Sequence, residues 1–508
     1  MKEAFIASIQ KSYHTDAPHI FLGAAVLNEE ILPDAKVNLN LSMMNRHGLV
    51  AGATGSGKTR TLQLLAEQLS KSGVPVFLSD VKGDLSGLAT EGTINSKIEQ
   101  RIQALQINYK LSGVPVELYS LSGERGITMR ATVMEFGPIL LAKVLELNDT
   151  QTGVLTILFK YADDKGLPIV DLSDLKALLN YLTSDSGKAE IKADYGTISG
   201  ASAGTILRKI TALEQQDGDR IFGEVSFKIE DLFRKVDGRG VVSLLNVSDM
   251  QDKPAVFSTF LLSLLVELYE ELPEAGDLDK PKLVFFLDEA HLLFRDASKA
   301  FREQVEQIIR LIRSKGVGVF FCSQMAQDIP DTILSQLGNR IQHVLRAFTP
   351  DDAKALKATV NTYPKSQYYE IDRVLTSMGI GQALITVLNE KGIPTEVAHT
   401  HLLPPSSLMA PLDAQNYESM VSNSEMFDKY AQTVDPHSAK EILAEKIGRK
   451  LNPENQETDI PVEKPIRTTS PGRKEKTVVE QVVNSSLGRS IGREIVRGIF
   501  GMLFGKKR

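Results

Sequence analysis

The chain has a single cysteine, Cys322, and no tryptophan among its 508 residues. One cysteine excludes an intrachain disulfide, and the first ten residues, MKEAFIASIQ, lack the apolar core of a secretory signal peptide. The longest apolar stretch, residues 257–269, is too short and too polar to span a bilayer, so we expect no transmembrane segment and a cytoplasmic protein. Helix-turn-helix, zinc-finger and aromatic-rich RNA-binding motifs are absent. The net charge of −6 excludes an evenly basic surface, although not a basic channel.

Between about residues 21 and 404, short apolar runs alternate with amphipathic helical stretches. This alternation predicts an α/β fold with a mostly parallel sheet. Between residues 121 and 236 the apolar residues recur at helical spacing instead, which predicts a mainly helical insertion. The predicted buried strands are residues 48–51, 74–79, 114–119, 241–246, 283–287, 317–322, 341–347 and 383–388.

The predicted organisation has six segments, and its last part differs in composition from the rest. Eight prolines and many acids after residue 403 predict a linker with a helical stretch near residues 440–450. The end of the chain is a basic amphipathic tail, which we expect to order on a protein surface, with membrane or DNA as alternatives. The segments are a short β segment (1–47), a first core part (48–120), the helical insertion (121–236), a second core part (237–404), the linker (405–471) and the partly disordered tail (472–508).

The strongest motif is GATGSGKT at residues 52–59, which fits the phosphate-binding pattern G-x-x-x-x-G-K-[ST]. A predicted strand precedes it and an amphipathic helix follows, as this loop requires. Its glycines let backbone N–H groups point at phosphates, and Lys58 is expected to reach the β- and γ-phosphates of ATP. The Thr59 hydroxyl is expected to bind Mg²⁺. The predicted ATP-binding residues are Gly52, Ala53, Thr54, Gly55, Ser56, Gly57, Lys58, Thr59 and Arg60.

A second motif, LVFFLDEAH, ends a predicted buried strand on two acids. Asp288 is expected to hold the Mg²⁺ shell and Glu289 to act as the general base that activates water. A further strand ends on Gln324, which is placed to sense the γ-phosphate or orient the water; an ordinary loop amide is the alternative. Together these features predict an enzyme that hydrolyses ATP.

These motifs resemble the bacterial HerA-like ATPases of the HerA/FtsK superfamily over about residues 21–404. The resemblance implies a RecA-like P-loop core that forms a ring, commonly a hexamer, with ATP between subunits and double-stranded DNA as the substrate. One departure is that about 47 residues precede the P-loop strand, which is too few for the N-terminal β-barrel of HerA itself. The residues that carry the resemblance are NRHGLVAGATGSGKT from Asn45, VFLSDVKGDLSG from Val76, NDTQ from Asn148, PKLVFFLDEAHLLF from Pro281, RLIRSKGVGV from Arg310 and LGNRIQH from Leu337.

Ring ATPases often complete each site with an arginine from the neighbouring subunit. Arg340 is our first choice for this role, with Arg310 and Arg313 as alternates; a salt bridge at a strand edge explains Arg340 equally well. Lys82 follows the second predicted strand, where contact with a phosphate or a neighbouring subunit and a plain polar turn are equally good interpretations.

Other P-loop classes do not fit. The string DEAH at residues 288–291 is not followed by the arginine motif of DEAH-box helicases, and neither LSGGQ nor N-K-x-D occurs where ABC ATPases or GTPases need it. Two functions stay open at this point. The first is an ATP-driven helicase or translocase on double-stranded DNA, and the second is an ATP-dependent platform that recruits protein partners.

Overall fold

The computed structural model describes residues 1–295, 297–346, 349–432, 434 and 436–451. The chain divides into two compact units. The first unit combines residues 1–129 with 227–431, and the second combines residues 130–226 with the described residues between 432 and 451. The predicted tail (472–508) and the part of the predicted linker after residue 451 lie outside the described residues.

A twelve-stranded sheet lies at the centre of the first unit. Its order is β2-β1-β14-β13-β12-β3-β11-β10-β4-β9-β5-β6, and β7 and β8 form a separate hairpin. The strands are β1 (His19–Leu27), β2 (Glu30–Asn40), β3 (Gly48–Ala51), β4 (Val76–Asp80), β5 (Val116–Ser120), β6 (Ile127–Thr128), β7 (Lys235–Val236), β8 (Arg239–Gly240), β9 (Val242–Asn246), β10 (Leu283–Leu287), β11 (Val317–Ser323), β12 (Asn339–Gln342), β13 (Gln382–Thr386) and β14 (Ala398–Leu402).

In this spatial order, each neighbouring pair from β12 through β3 to β6 is parallel, whereas each neighbouring pair from β2 through β1 to β12 is antiparallel. Parallel strands are covered on both faces, which is why β10 and β11 are apolar runs whose residues are all buried. The predicted α/β fold with a mostly parallel sheet is therefore confirmed. The strand predicted at 341–347 instead ends at Gln342. Beyond it, the Val344 carbonyl accepts the N–H of Ala53 in the phosphate loop at 2.9 Å, and the N–H of Leu345 donates to the Leu375 carbonyl at 2.8 Å.

Helices accompany the sheet in the first unit and make up most of the described part of the second unit. None of the helices in the described ranges has the length and apolarity that crossing a bilayer requires. They are α1 (Lys2–Tyr13), α2 (Lys58–Lys71), α3 (Ser96–Leu105), α4 (Val133–Val144), α5 (Asp149–Asp164), α6 (Leu172–Thr183), α7 (Asp185–Ile191), α8 (Gly200–Glu214), α9 (Pro254–Glu271), α10 (Lys299–Ile312), α11 (Asp331–Leu334), α12 (Pro350–Val360), α13 (Ile371–Ser377), α14 (Ala414–Ser422), α15 (Glu425–Tyr430) and α16 (Ala439–Leu451).

The N-terminal helix α1 was not among the predicted elements, since residues 1–47 were expected to form short strands only. It buries Phe5, Ile9 and Tyr13, which recur every four residues and so share one helical face. Phe5 packs edge-on against two tyrosine rings, at 5.0 Å from Tyr368 and 5.7 Å from Tyr369. The N-terminal segment is thus part of the core of the first unit.

The second unit consists of helices α4 to α8 and α16 in its described part. The helix expected near residues 440–450 is α16, and it is held by Asp174, which accepts hydrogen bonds from the Ser438 hydroxyl at 2.5 Å and the Lys440 N–H at 2.9 Å. Lys446 also pairs with both oxygens of Glu190 at 2.9 Å. Residues 436–451 therefore fold with the helical insertion.

The residues just after Pro404 belong to the first unit, although their prolines and acids predicted a linker. The Glu67 carboxylate on α2 is buried and accepts the N–H groups of Ser406 and Ser407 and the Ser407 hydroxyl, at 2.9–3.1 Å. Lys71 also donates to the Ser406 hydroxyl at 2.5 Å. These polar contacts have no apolar periodicity, so a pattern search on the sequence does not detect them.

Candidate nucleotide site

The loop between β3 and α2 depends on two glycines for its shape. Gly52 has φ 150°, and a Cβ atom there would lie 2.5 Å from Cβ of His343. Gly57 has φ 111° and is the N-cap residue of α2. Both φ values lie in the region that favours glycine, so larger residues would push the loop away from the start of the helix.

Lys58 is buried at the base of this loop, with a relative exposure of 5%. Its Nζ donates to the carbonyl oxygens of Gly52 at 2.7 Å and Ala53 at 3.2 Å. Thr54 and Gly55 are exposed at the tip of the loop. The ammonium is therefore held inside the loop, where a phosphate would compete with two neutral carbonyls for its protons.

His343, which the sequence did not single out, supports the first turn of α2. Its Nε2 lies 2.9 Å from the Thr61 hydroxyl, and the ring is fully buried. Burial, together with the charge of Lys58, lowers the pKa of His343 to about 4, so the ring is neutral at pH 7. No local motif marks such a contact, because the two residues are 282 positions apart.

The second motif lies at the carboxyl end of β10, at the sheet edge where open α/β folds bind ligands. The N–H of Asp288 donates to the Ser79 hydroxyl at 3.0 Å, and the Cys322 side chain lies near its carboxylate. Asp288 is 2% exposed, and burial raises the pKa of its carboxyl to about 6, helped by the charge of Glu289 and opposed by Lys82. Cys322 lies on β11, between β10 and the P-loop strand β3. The sequence had not assigned Cys322 to the site.

Glu289 follows in a left-handed backbone conformation, with φ 45° and ψ 48°. Its side chain is almost buried, and Oε1 forms an ion pair with Nζ of Lys82 at 2.7 Å. The other oxygen lies 3.3 Å from Nδ1 of His291 without hydrogen-bond geometry. The carboxylate is thus held by a cation from the end of the neighbouring strand β4.

The turn that carries Lys82 is built by Asp80. The Asp80 carboxylate accepts the N–H groups of Gly83, Asp84 and Leu85 at 2.7, 3.3 and 3.0 Å. Asp80 therefore stabilises a polar turn, as one of the two interpretations of this segment expected. Lys82 projects from that turn and contacts Glu289.

Gln324 and Arg340 lie at different levels of the sheet. Gln324 is exposed directly after β11, at the same edge as the phosphate loop. Arg340 pairs in register with Leu49, toward the start of β3, and its guanidinium donates to the carbonyls of Leu334 at 3.3 Å and Leu337 at 3.2 Å. The structure therefore does not bring Arg340 to the phosphate loop of its own chain.

The donor groups at this edge suit Mg²⁺, which prefers oxygen ligands. Within the described residues, Oδ2 of Asp288 is buried without a hydrogen-bond partner. Thr59 is half-buried in the first turn of α2 and supplies a hydroxyl. A buried carboxylate oxygen without a donor is costly unless a cation or water satisfies it, so these residues fit the ion.

Comparison with known proteins gives a consistent family. The family model described as "Helicase HerA-like C-terminal" matches residues 26–508. The DNA double-strand break repair helicase HerA of Sulfolobus acidocaldarius is 22% identical over 368 residues, which cover 71% of this chain and 66% of that protein. The DNA import protein CedB of the same organism is 24% identical over 394 residues, covering 76% and 57%. The chain thus spans 66% of the length of the HerA relative and 57% of the length of CedB.

Among solved structures, the plasmid coupling protein TrwB in complex with the non-hydrolysable GTP analogue GDPNP has a TM-score of 0.50. It is 13% identical and the match covers 78% of this chain and 97% of that one. At this identity the likeness shows the fold alone, which is the α/β fold of P-loop ATPases. Since the family model matches most of the sequence and both nucleotide motifs lie at one edge of this sheet, the chain belongs to the HerA-like helicase family of P-loop ATPases.

Proposed function

We propose that the chain is an ATP-hydrolysing ring motor, a translocase or helicase that acts on double-stranded DNA. The observation that carries the enzymatic part is the buried pair Asp288 and Glu289 at the sheet edge that also holds the phosphate loop. A binder of nucleotide needs a ligand for the metal, but hydrolysis also needs a base. Glu289 supplies that second carboxylate.

The residues predicted from the sequence motifs have distinct roles in this proposal. The loop from Gly52 to Thr59 and the adjacent Arg60 bind the phosphates, with Lys58 on the β- and γ-phosphates. Thr59 and Asp288 hold Mg²⁺, which neutralises phosphate charge when bound. Glu289 accepts a proton from the attacking water, and Gln324 senses the γ-phosphate from the end of β11.

The DNA part of the proposal is supported by the family and by the names of two relatives, a DNA repair helicase and a DNA import protein. We expect duplex DNA to raise the steady-state ATPase rate. Because phosphate contacts release counterions, raising salt from about 50 to 200 mM should weaken the apparent DNA affinity about 10³-fold if about six phosphates are contacted. The measurement is ATP turnover against DNA concentration at several salt concentrations.

A heparin titration is the control, since any polyanion would compete for basic residues without offering a duplex. An ATPase rate that saturating duplex DNA leaves unchanged would contradict the motor. That result would favour the alternative, an assembly platform that binds ATP and recruits protein partners.

Ring assembly, most simply a hexamer, should be favoured by ATP because a ligand held between two chains stabilises their contact. If Arg340 reaches the neighbouring site, mixing Glu289→Gln with Arg340→Ala subunits should restore activity above the sum of the two alone. Some interfaces would then pair an intact base with an intact arginine. Light scattering with and without ATP measures assembly, and ATP turnover measures rescue.

The matched control mixes Glu289→Gln with Lys58→Ala. Each site takes both its lysine and its glutamate from one chain, so every site in this mixture carries one of the two defects. Recovery in that control, or a monomer at saturating ATP, would count against the ring. The same mixture with Arg310→Ala or Arg313→Ala tests the alternates, which line an open cavity of about 890 Å³.

Lys82 should act on the chemical step by positioning Glu289. Lys82→Ala removes the cation that lies 2.7 Å from Oε1 of Glu289. The Glu289 carboxylate then loses the contact that positions it for the attacking water. We expect kcat to fall about tenfold, because misplacing a catalytic group by about 1 Å is costly, while KM for ATP changes little. Steady-state kinetics separate the two constants.

Lys82→Arg keeps the charge and should recover most of kcat. Lys357→Ala, an exposed lysine on α12, is the control for loss of a positive charge. A Lys82→Ala enzyme with wild-type kcat would show that the ion pair has no part in positioning the carboxylate.

A further inference from the structure

The start of the phosphate loop lies against His343, the residue that follows strand β12. β12 and β3 pair in register as far as Gln342 and Ala51. Beyond that pair, the His343 N–H donates to the Ala51 carbonyl at 2.7 Å, and the Ala53 N–H donates to the Val344 carbonyl at 2.9 Å. The backbone around His343 therefore continues the pairing of the two strands into the first residues of the loop.

The His343 side chain lies next to both ends of the loop. A Cβ atom at Gly52, the first residue, would lie 2.5 Å from Cβ of His343, and one at Gly57 would lie 3.7 Å from Cε1 of the ring. On the helix side, Nε2 lies 2.9 Å from the Thr61 hydroxyl. One fully buried side chain thus borders the start of the loop, its end and the first turn of α2.

The contact with Thr61 is important because the first turn of α2 faces the phosphates. Thr61 is buried, and its N–H donates to the Gly57 carbonyl at 3.0 Å. In any α-helix the N–H groups before the first such bond have no partner within the helix, and these groups bind anions. A hydrogen bond that fixes Thr61 therefore also fixes the direction of the N–H groups of Lys58 and Thr59.

A neutral ring suits this position. Burial and the nearby charge of Lys58 lower the pKa of His343 to about 4, so the ring adds no second cation beside the ammonium that has to meet phosphate. A neutral imidazole has one nitrogen that donates and one that accepts, and a hydroxyl can do both. His343 can therefore bond to Thr61 without disturbing the charge of the site.

We propose that His343 is a positioning residue that holds the phosphate loop in the shape that receives the β- and γ-phosphates of ATP. It acts through Thr61 and the loop backbone and touches no phosphate itself. The inference rests on the proposed function, since it concerns the support of the same site. A loop that is ordered before the ligand arrives avoids the cost of ordering on binding, so this support should appear as affinity.

The test replaces the ring with an apolar side chain and measures binding. Calorimetry of His343→Leu uses two probes, each with Mg²⁺: inorganic tripolyphosphate and a non-hydrolysable ATP analogue. Both affinities should fall about fivefold, which is the loss expected for one ordinary hydrogen bond. In steady-state kinetics KM for ATP should rise while kcat changes little, because the phosphates are held equally before and during the reaction.

Two further variants separate the hydrogen bond from the packing of the ring. In His343→Gln the side-chain amide can reach Thr61, so most of the affinity should return. Thr61→Val removes the hydroxyl from the other side and should weaken both probes as His343→Leu does. A chain with both Thr61→Val and His343→Leu should lose no more than either single variant, because the two changes break the same contact.

His47→Leu is the matched control. His47 is also buried, its pKa is likewise lowered to about 4, and its Nε2 lies 2.7 Å from the Ile309 carbonyl. It precedes strand β3, at the end of that strand away from the loop. His47→Leu should lower the thermal unfolding temperature as His343→Leu does, but it should leave both affinities unchanged.

Three results would overturn the inference: wild-type affinity for tripolyphosphate in folded His343→Leu, losses that add in the double variant, or an equal loss of affinity in the control. If His343→Leu does not fold, Thr61→Val makes the same comparison. Lys58→Ala tests the loop itself. A wild type that binds neither probe would refute the proposed function as well, whereas binding that only Lys58→Ala weakens would refute this inference alone.

Discussion

Glu289→Gln should bind ATP as the wild type does and leave it uncleaved. The amide keeps the size of the side chain but cannot take a proton from water, and the metal ligand Asp288 is untouched. General-base catalysis contributes about 10²–10⁴-fold, so turnover should fall by at least about a hundredfold. Phosphate release in steady state and nucleotide binding by calorimetry check the two halves of this result.

Glu418→Gln is the matched control, because Glu418 is an exposed carboxylate on α14. Its turnover should equal that of the wild type. A Glu289→Gln protein that hydrolyses ATP at the wild-type rate would remove Glu289 from the mechanism and leave the site without its proposed base.

Lys58→Ala should lose binding rather than chemistry. The Lys58 ammonium is already positioned inside the loop by the carbonyls of Gly52 and Ala53, and it would form charge-assisted bonds to two phosphates. Two such bonds are worth about 3 kcal/mol or more, which corresponds to at least about a hundredfold in affinity. Titration with ATP and Mg²⁺ measures the loss.

A thermal unfolding curve shows whether the Lys58→Ala protein is folded, and Lys357→Ala controls for the loss of one positive charge. Wild-type affinity in a folded Lys58→Ala protein would mean that the triphosphate binds elsewhere.

The parallel part of the fold could be predicted because its strands are buried on both faces. Runs such as LVFFL in β10 are apolar throughout and are separated by helical stretches of regular period. The antiparallel edge was predicted less completely. Strand β14 alternates between buried and half-buried residues and was not among the predicted strands, and helix α1 has only three buried residues to mark its face. The attachment of Ser406 and Ser407 to α2 depends on polar contacts, which have no period.

The residues of the site also differ in how far the sequence could predict them. The phosphate loop and the pair Asp288 and Glu289 are local, since each follows a strand directly and its chemistry can be inferred from adjacent residues. The partners of these groups are distant in sequence. Lys82 meets Glu289 because β4 lies beside β10, and His343 meets Thr61 because β12 lies beside β3, the strand that leads into α2. A motif can indicate such residues as polar, as it did for Lys82, but only the order of the strands shows what they touch.

The bonds between Glu67 and the segment after Pro404 restrict how this protein can be divided or recombined. A shortened chain that stops at Pro404 would retain every nucleotide motif, yet the buried carboxylate on α2 would lose all its hydroxyl and N–H donors from Ser406 and Ser407. A buried carboxylate without such donors is destabilising, and here it lies nine residues from Lys58 on the same helix. A chimera that exchanges the ATPase core between relatives must therefore include Ser406 and Ser407 together with the phosphate loop, even though these serines take no part in catalysis.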